Sequence, residues 1–414
     1  MANLAGSAIT ILKDSGNLSH FLFFYVELCY DESNFNRGYT VLVTIKQAET
    51  KRDLIKFMQF PLDLYRDNPY YVPDILSSQV ADMQRDKNPA FEYCDAKCFL
   101  AYRDNKIVGR IAAILNDKAN QKFQRRYMNF THVDFIDDDE VVDALFHAVE
   151  AWAKEKECVA VHGPLGFSDM DREGLLVEGF DRLSLFITYY NHPYYITQLS
   201  RLGYVKEVDW VENRITLPKE PNERLSRIAN NVLARKKLHT VDIGEKPIKA
   251  LIRDMFSVYN QAYYALFGMV PMTERQVAKY AGEFRPMVDK RTTCFVYNEK
   301  DEMVAFGICC PALDKAQRKC GGNLVPFGWI PVVRALKGKN DTVDLLLIGV
   351  TPELQGSGVN AIVMDSILRK CINAGFKYAE TGPTLELNDK VQAQWKMFEH
   401  EQHKRRRCFV KELS

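Results

Sequence analysis

One short loop in the chain has residue types that could bind a phosphate. The run LLLIGV (345–350) has the apolar character of a buried strand, and an apolar pattern typical of a helix begins after residue 358. Backbone N–H groups at a helix N-terminus bind anions, and glycine lets the backbone approach a ligand closely. The connecting residues are Gln355, Gly356, Ser357, Gly358, Val359 and Asn360. The alternative is an ordinary strand-to-helix turn in which the glycines serve geometry alone.

Length and composition disfavour several classes of protein. The 414 residues suffice for two or three domains, and 55 basic against 54 acidic side chains give a net charge of +1. This balance makes nucleic acid an unfavourable partner. Ten cysteines without a CxxC pair predict reduced thiols and a cytoplasmic protein. The eight histidines do not cluster with cysteines at ligand spacing, so we expect no metal site.

The apolar runs of the chain are short. None reaches the roughly 18 residues of a membrane-spanning helix, so we expect no membrane partner. The longest, FLFFYVELCY (21–30), is about half that length. It belongs to residues 1–42, an N-terminal extension of uncertain status that matches nothing later in the chain.

A repeat organises the rest of the sequence. CFLAYRDNKIVGRIAAILN (98–116) is similar to CFVYNEKDEMVAFGICCPAL (294–313), and each predicts a β-hairpin with a glycine in its second strand. Each hairpin follows a strand and one or two helices. Each precedes a strand, a turn, an amphipathic helix, a strand, a short helix and a last strand. We interpret residues 43–220 (the first copy) and 221–414 (the second copy) as two versions of one α/β unit.

The order of elements in each copy resembles the GNAT superfamily of acyl-CoA-dependent N-acetyltransferases. The segments FPLDLYRDNPYYVPDI, GPLGFSDMDREGLLVEGFD and HKRRRCFVKEL are similar to those of bacterial proteins that carry two such domains in tandem. The resemblance covers nearly everything after residue 42. It implies an α/β fold with mixed sheets, in which the first copy is a degenerate GNAT-like domain and the second copy binds the cofactor.

The resemblance assigns cofactor contacts for acetyl-CoA or another acyl-CoA. GNAT proteins bind its pyrophosphate through the pattern Gln/Arg-x-x-Gly-x-Gly/Ala, which residues 355–360 match except at Asn360. The fourth and fifth strands of the family splay apart, and the pantetheine arm pairs with the backbone of the fourth. In this sequence the matching backbone is that of Ile348 and Val350.

Further site residues follow from the same resemblance. Asn388 stands where the family has a cofactor-binding asparagine, and Trp395 replaces a tyrosine that often serves as the general acid. An indole cannot donate a proton to a thiolate as a phenol can. Acyl transfer also needs a base for the amine, and the best-placed carboxylates are Glu380 and Asp344. The alternative for both is an exposed charge on a strand.

The first copy differs from the second at two places. Its turn FIDDDEV (135–141) has four consecutive acidic residues and no glycine, so it would cap a helix and repel a pyrophosphate. We therefore expect the first copy not to bind CoA. Its insertion, residues 166–195, could line a pocket for a cationic amine, with an ordered surface loop as the alternative. The carboxylates of this insertion are Asp169, Asp171, Glu173, Glu178 and Asp181.

The sequence thus predicts an acyl-CoA-dependent N-acyltransferase that transfers an acetyl group to the amine of a small molecule or peptide. Two alternatives remain open. A Fem-type transferase would use two GNAT-like domains with aminoacyl-tRNA as the donor. A non-catalytic ligand-binding or scaffold protein could also descend from the same fold, because one fold hosts many functions.

Overall fold

One continuous sheet of fourteen strands runs through residues 42–414, the part of the chain that the computed structural model describes. The extension predicted for residues 1–42 lies outside the described residues, apart from Leu42. Twelve α-helices flank the sheet in the described range, and none of them is long and apolar enough to cross a membrane. The fold is of the α/β class with a mixed sheet that the sequence predicts.

The first copy contributes seven strands and five helices. They are β1 (Thr44–Gln47), α1 (Lys51–Leu64), α2 (Leu76–Asp82), β2 (Cys94–Arg103), β3 (Lys106–Asn116), α3 (Asp117–Lys122), β4 (Tyr127–Phe135), α4 (Asp139–Glu155), β5 (Ala160–Gly163), β6 (Leu175–Glu178), α5 (Tyr194–Arg201) and β7 (Val205–Thr216).

The second copy contributes seven strands and seven helices. They are α6 (Glu223–Lys236), β8 (His239–Val241), α7 (Ile248–Ala262), α8 (Glu274–Phe284), β9 (Thr293–Tyr297), β10 (Met303–Pro311), α9 (Asp314–Cys320), α10 (Trp329–Lys337), β11 (Thr342–Val350), α11 (Val359–Asn373), β12 (Tyr378–Thr381), β13 (Thr384–Leu385), α12 (Asp389–Trp395) and β14 (Glu399–Glu412).

The two copies share a register as well as an order of elements. Gly109 of β3 pairs with Phe135 of β4, and Gly307 of β10 pairs with Ile348 of β11. Neither glycine has room for a Cβ atom, because the helix that follows the next strand packs directly against it. Two hairpins of the same register, each packed against the helix that follows the next strand, support the interpretation of a repeat.

Helices cover both faces of the sheet in the second copy. Phe295 and Tyr297 of β9 pack with α7 and α8, whereas Cys294 and Val296 pack with α6 and α11. Because successive side chains of a strand point to opposite faces, α7 and α8 lie on one face and α6 and α11 on the other. Any cavity that touches both sets of helices must therefore pass through the sheet.

The two copies exchange their last strands. The sheet order is β1-β2-β3-β4-β5-β14-β7-β12-β11-β10-β9-β8, so β14 pairs with β5 of the first copy and β7 pairs with β12 of the second. The long strands β7 and β14 also pair with each other. Residues 42–414 consequently form one compact unit, and the division near residue 220 stays an interpretation of the repeat.

A fully buried ion cluster lies at this exchange. Glu212 of β7 meets Lys404 of β14 at 2.9 Å and also contacts the guanidinium of Arg406. Burial alone would raise the pKa of Glu212, but the charges of Arg406 and Lys404 lower it to about 2. Buried charges are tolerated only when they are paired, so the cluster depends on all three members.

We expect Arg406→Met to lower the free energy of unfolding by roughly 3–5 kcal/mol, because it leaves a buried carboxylate incompletely paired. Lys411→Met, on the same strand, is the control, since its partly exposed pair with Glu150 should matter by less than about 1 kcal/mol. Urea unfolding measures both. Equal effects of the two substitutions would contradict the importance given to the buried cluster.

Candidate functional site

A gap between β11 and β12 forms the centre of the candidate site. The two strands pair only from Thr342↔Tyr378 to Leu345↔Thr381, although β11 continues to Val350. A bulge at Leu346 shifts the register against β10 at the same point. A bulge bends its strand, and beyond it β11 leaves β12 with one backbone edge unpaired.

A cavity of about 870 Å³ occupies this gap. Met364 and Ile367 of α11 line it on one face of the sheet, and Tyr263 and Phe284 line it from the α7 and α8 side. The cavity therefore passes through the sheet, and most of its lining side chains are apolar. Its size falls in the upper part of the range for small-molecule sites, roughly 300–1,000 Å³.

The loop 355–360 lies beside this cavity, where Gln355, Gly356 and Asn360 line it. Gly356 and Gly358 have φ values of +72° and +90°, a region that side chains with a Cβ atom rarely adopt. Helix α11 begins at Val359 without a side-chain cap. Within the described residues the backbone N–H groups of Gly356, Gly358, Val359 and Asn360 have no hydrogen-bond partner. The loop thus offers donors that fit an anion.

Not every loop residue faces the cavity. The Val359 side chain is fully buried in the core against α6, so only its N–H group could contact a ligand. The hydroxyl of Ser357 donates a hydrogen bond to the Leu354 carbonyl at 2.6 Å, which stabilises the turn. A Cβ atom at Gly358 would lie 3.1 Å from Val232. These three residues fix the conformation of the loop through contacts on the side away from the cavity.

The backbone of β11 presents the two positions expected to pair with pantetheine. Ile348 and Val350 both line the cavity. The Tyr263 hydroxyl donates to the Ile348 carbonyl at 2.9 Å and accepts from its N–H group at 3.3 Å. The Gln355 side chain donates to the Val350 carbonyl at 3.2 Å. An arm pairing with this edge would replace the Tyr263 hydroxyl.

Asn388 and Trp395 line the other side of the cavity. The Asn388 side chain caps α12 by accepting a hydrogen bond from Val391 N–H. Trp395 packs against Val343 and Ala379, and its buried indole N–H has no partner among the described residues. Trp395 therefore combines a packing role with one free donor at the cavity wall.

The two carboxylates expected to serve as bases do not line the cavity. Glu380 and Asp344 alternate with residues that do, such as Leu345 and Thr381, so their side chains point to the opposite face. Burial would raise the pKa of Glu380, but His403, whose Nε2 lies 2.9 Å away, helps to hold it below its usual value. Burial raises the pKa of Asp344 well above its usual value. Because neither side chain faces the cavity, neither is placed to take a proton from an acceptor bound there.

The carboxylates that reach the cavity come from the first copy. Asp169, Asp171 and Glu173 of the insertion line it, whereas Glu178 and Asp181 lie on the surface. Burial raises the pKa of Asp169 and of Asp171 to about 6, and it raises the pKa of Glu173 well above its usual value. Of the two alternatives that the sequence leaves open for this insertion, the first three carboxylates fit a pocket lining, and Glu178 and Asp181 fit a surface loop.

Asp169 and Asp171 have different partners. Asp171 accepts hydrogen bonds from the backbone N–H groups of Phe167 and Ser168 and so holds the loop together. One oxygen of Asp169 accepts a hydrogen bond of 2.5 Å from the Tyr259 hydroxyl, and its other oxygen has no partner in the described range. Asp169 therefore keeps a free acceptor at the cavity.

Tyr259 of α7 and Tyr263, the residue that follows α7, connect this carboxylate to β11. Tyr259 and Tyr263 are spaced four residues apart, and their rings lie 4.6 Å from each other. The first holds Asp169 and the second holds Ile348, so one helical face joins the acidic wall to the gap. The sequence analysis missed both tyrosines, and their helical spacing is the signal that could have found them.

The corresponding gap of the first copy is filled. Strand β4 pairs with β5 only from Tyr127↔Ala160 to Asn129↔His162, but the hydroxyls of Tyr195 and Tyr194 satisfy the N–H and carbonyl groups of Phe135. The Tyr195 ring stacks on Phe135 at 4.1 Å. The side chain of Asp138 caps α4, at the place where the second copy has free N–H groups.

One group of side chains has the composition of a metal site. Atoms of His162, Glu207 and Cys408 lie within 4.8 Å of one another. They are already joined by hydrogen bonds of 2.8 Å (His162–Glu207) and 3.3 Å (Cys408–Glu207). The Arg125 guanidinium lies 3.3 Å from Glu207 and competes with a second cation. The group is best explained as a connection between β5, β7 and β14.

Comparisons with known proteins agree with the architecture. No protein-family model matches the chain. Protein YghO of Escherichia coli (strain K12) is 27% identical over 375 residues, which cover 88% of this chain and 94% of that protein. Bacterial ceramide synthase of Caulobacter vibrioides (strain NA1000 / CB15N) is 24% identical over 323 residues, which cover 76% of this chain and 82% of that protein.

A solved structure shows the same fold. A tandem GNAT protein from the clavulanic acid biosynthesis pathway, determined without AcCoA, aligns with a TM-score of 0.51 and 12% identity, over 89% of this chain and 98% of its own. The chain thus has the fold of GNAT acetyltransferases in a tandem arrangement, which confirms the resemblance seen in the sequence.

We expect Asp169→Asn to raise the free energy of unfolding at neutral pH. The folded pKa, about 6, lies above the ordinary value of 3.8, so the charged form destabilises the fold as pH rises through this interval. The gain should reach up to about 3 kcal/mol near pH 7.5 and vanish below about pH 4. The charged and titratable groups around Asp169 are Asp171, Glu173, Lys122 and Tyr259.

Urea unfolding of both proteins across this pH range is the measurement. Asp181→Asn, which changes an exposed carboxylate of the same insertion, is the matched control and should change stability by less than about 0.5 kcal/mol. A stability difference for Asp169→Asn that does not depend on pH would contradict the raised pKa.

Proposed function

We propose that the protein is an N-acyltransferase that moves a long acyl group from acyl-CoA to the amine of an acceptor with an apolar tail. The observation that carries this proposal is the apolar cavity that passes through the sheet between the anion-binding loop and the acidic wall. The relative named bacterial ceramide synthase supports it, because a ceramide contains an amide between a fatty acyl group and a long-chain amine.

The donor would enter from the α11 side. The free N–H groups of residues 356–360 and the start of the helix would hold the pyrophosphate. The unpaired edge of β11 at Ile348 would orient the pantetheine arm once the Tyr263 side chain moves. The apolar wall formed by Ile367, Trp395 and neighbouring residues would take the acyl chain. The thioester carbon would then lie in the gap, open to the other face.

The acceptor would enter from the side of α7 and α8. Asp169 would attract its ammonium group and take the proton that makes the amine a nucleophile. A carboxylate with a pKa of about 6 is well suited to this near neutral pH. The C–N bond forms as the C–S bond breaks, and the departing thiolate takes up a proton. Tyr263, whose hydroxyl lies on the β11 edge, would donate this proton.

The state of the cysteines supports a reducing compartment. The nine cysteines of the described residues are free thiols, and eight of them are buried. We propose on this ground that the protein acts in the cytoplasm.

Asn360→Asp tests the donor site. It places a carboxylate where the first copy has acidic residues, so we expect repulsion of the pyrophosphate to weaken binding of palmitoyl-CoA by about tenfold or more. Calorimetric titration measures the affinity. Asn323→Asp, the same change on an exposed loop, is the control and should leave the affinity unchanged. Wild-type protein that binds neither acetyl-CoA nor palmitoyl-CoA would sink the proposal.

Asp169→Asn tests the base. We expect kcat for amide formation to fall by about 10²-fold or more and the pH profile to lose its acidic limb near pH 6. The affinity for acyl-CoA should change by less than about twofold, because the carboxylate lies on the acceptor side. Thiol release from acyl-CoA in the presence of a long-chain amine measures the reaction. Full activity of Asp169→Asn would remove this residue from the mechanism.

A further inference from the structure

The segment between β10 and β11 presents an unusual surface. It contains α9 and α10, and α10 has no buried residue. The side chains of Val325, Phe327 and Trp329 are 83%, 71% and 50% exposed, and Val333 is also exposed. Large apolar side chains gathered on one short segment mark an interaction surface, whereas scattered ones need no explanation.

The segment is held in place at several points. Leu76 N–H donates to the Gly322 carbonyl at 2.9 Å, and the Asn340 side chain donates to the Ala312 carbonyl at 3.0 Å. The Arg291 guanidinium donates to the carbonyl of Leu336. The apolar side chains are therefore carried by anchored backbone, and their exposure is a property of the fold.

The charged residues of the segment all have the same sign. Residues 315–340 contain six basic residues and no acidic one, in a chain whose net charge is +1. The six are Lys315, Arg318, Lys319, Arg334, Lys337 and Lys339. All six are exposed, and none forms an ion pair with another described residue. By contrast, Arg405 and Lys411 of β14 are paired with Glu178 and Glu150.

We infer that residues 315–340 dock the protein on the surface of an anionic phospholipid bilayer. Exposed valine, phenylalanine and tryptophan side chains would enter the boundary between headgroups and acyl chains, and the six cations would pair with lipid phosphates. An interfacial helix of this kind lies in the plane of the membrane and does not span it. This inference departs from the sequence-based expectation of no membrane partner, which rested on the short apolar runs and on the balanced net charge of the whole chain. Six basic residues on one segment form a local patch that the net charge does not reveal.

The position of the segment relative to the cavity fits this partner. Arg291, which holds α10, follows closely after Phe284 and Met287, and both of these line the cavity. Substrates with long apolar chains are stored in bilayers. A docked enzyme could exchange them through the α8 side of the cavity, although the docking itself does not depend on the proposed reaction.

Vesicle binding of the full chain tests the inference. Of the four tryptophans, Trp152, Trp210 and Trp395 are buried, so a change in fluorescence on adding vesicles reports Trp329. We expect a blue shift and co-sedimentation with vesicles of equal parts phosphatidylcholine and phosphatidylglycerol. Binding should weaken with added salt and should be much weaker on phosphatidylcholine alone.

Two double variants separate the apolar and electrostatic contributions. Lys337→Glu/Lys339→Glu should lower the affinity for anionic vesicles by about 30-fold or more, since each basic residue near the surface contributes about 1 kcal/mol. Val325→Ser/Phe327→Ser should abolish the blue shift and lower the affinity by at least about tenfold. The matched controls are Arg235→Glu/Lys249→Glu and Val205→Ser/Ile228→Ser, which change exposed residues elsewhere and should bind like the wild type.

Several outcomes would overturn the inference. These are absence of vesicle binding by the wild type, equal loss in the control variants, or dissociation of an oligomer by Val325→Ser/Phe327→Ser in sedimentation analysis without vesicles. The last would show that a second copy of the chain covers the surface. Amide formation with detergent-dispersed substrates should be unchanged in the docking variants, so failure of docking and failure of the proposed reaction are distinguishable.

Discussion

The candidate site depends on the incomplete pairing of β11 with β12. Backbone N–H and carbonyl groups that are not satisfied are costly inside a protein, so an unpaired strand edge must find partners. In the second copy, the Tyr263 hydroxyl and the Gln355 amide provide them at Ile348 and Val350. These are side-chain partners that a ligand can replace. The bulge at Leu346 keeps the gap open, and the cavity follows from it.

In the first copy the unpaired strand edge is satisfied without leaving a cavity. Its β4 has a similar unpaired edge, but Tyr194 and Tyr195 of α5 occupy it permanently, and Asp138 caps the helix that would bind a phosphate. The first copy instead supplies acidic residues to the cavity of the second. The exchange of β7 and β14 makes the two copies one unit, so a carboxylate of one can be positioned accurately against a strand of the other.

The sequence predicts local features of this fold well. The order of elements and the acidic turn could be read from patterns of apolar residues, glycines and charges, because these patterns follow directly from local geometry. The loop 355–360 was found in the same way. The splayed strands were expected only from the resemblance to GNAT proteins. For Asp344 and Glu380, local patterns did not predict which face of the sheet the side chains occupy. That face depends on the register of the strand and on bulges. Tyr263 reaches β11 only through tertiary packing, which no local pattern records.

The exchange of the last strands was also beyond the sequence. HKRRRCFVKEL reads as an edge strand with solvated charges, yet Lys404 and Arg406 are fully buried against Glu212. The strand that pairs with β14 is determined by residues distant in the chain. A sequence of alternating charged residues is also the same whether the strand lies at an exposed edge or contributes to a buried ion cluster. Helix α10 shows the opposite difference between pattern and structure. An apolar helix pattern normally predicts burial, but α10 has no buried residue.

The most direct measurement is the stoichiometry of long-chain acyl-CoA binding to the full chain at equilibrium. The account predicts one molecule bound per chain, because only the second copy has an open gap beside a free anion-binding loop. No binding would contradict the proposed donor site, and two molecules per chain would contradict the closure of the first copy.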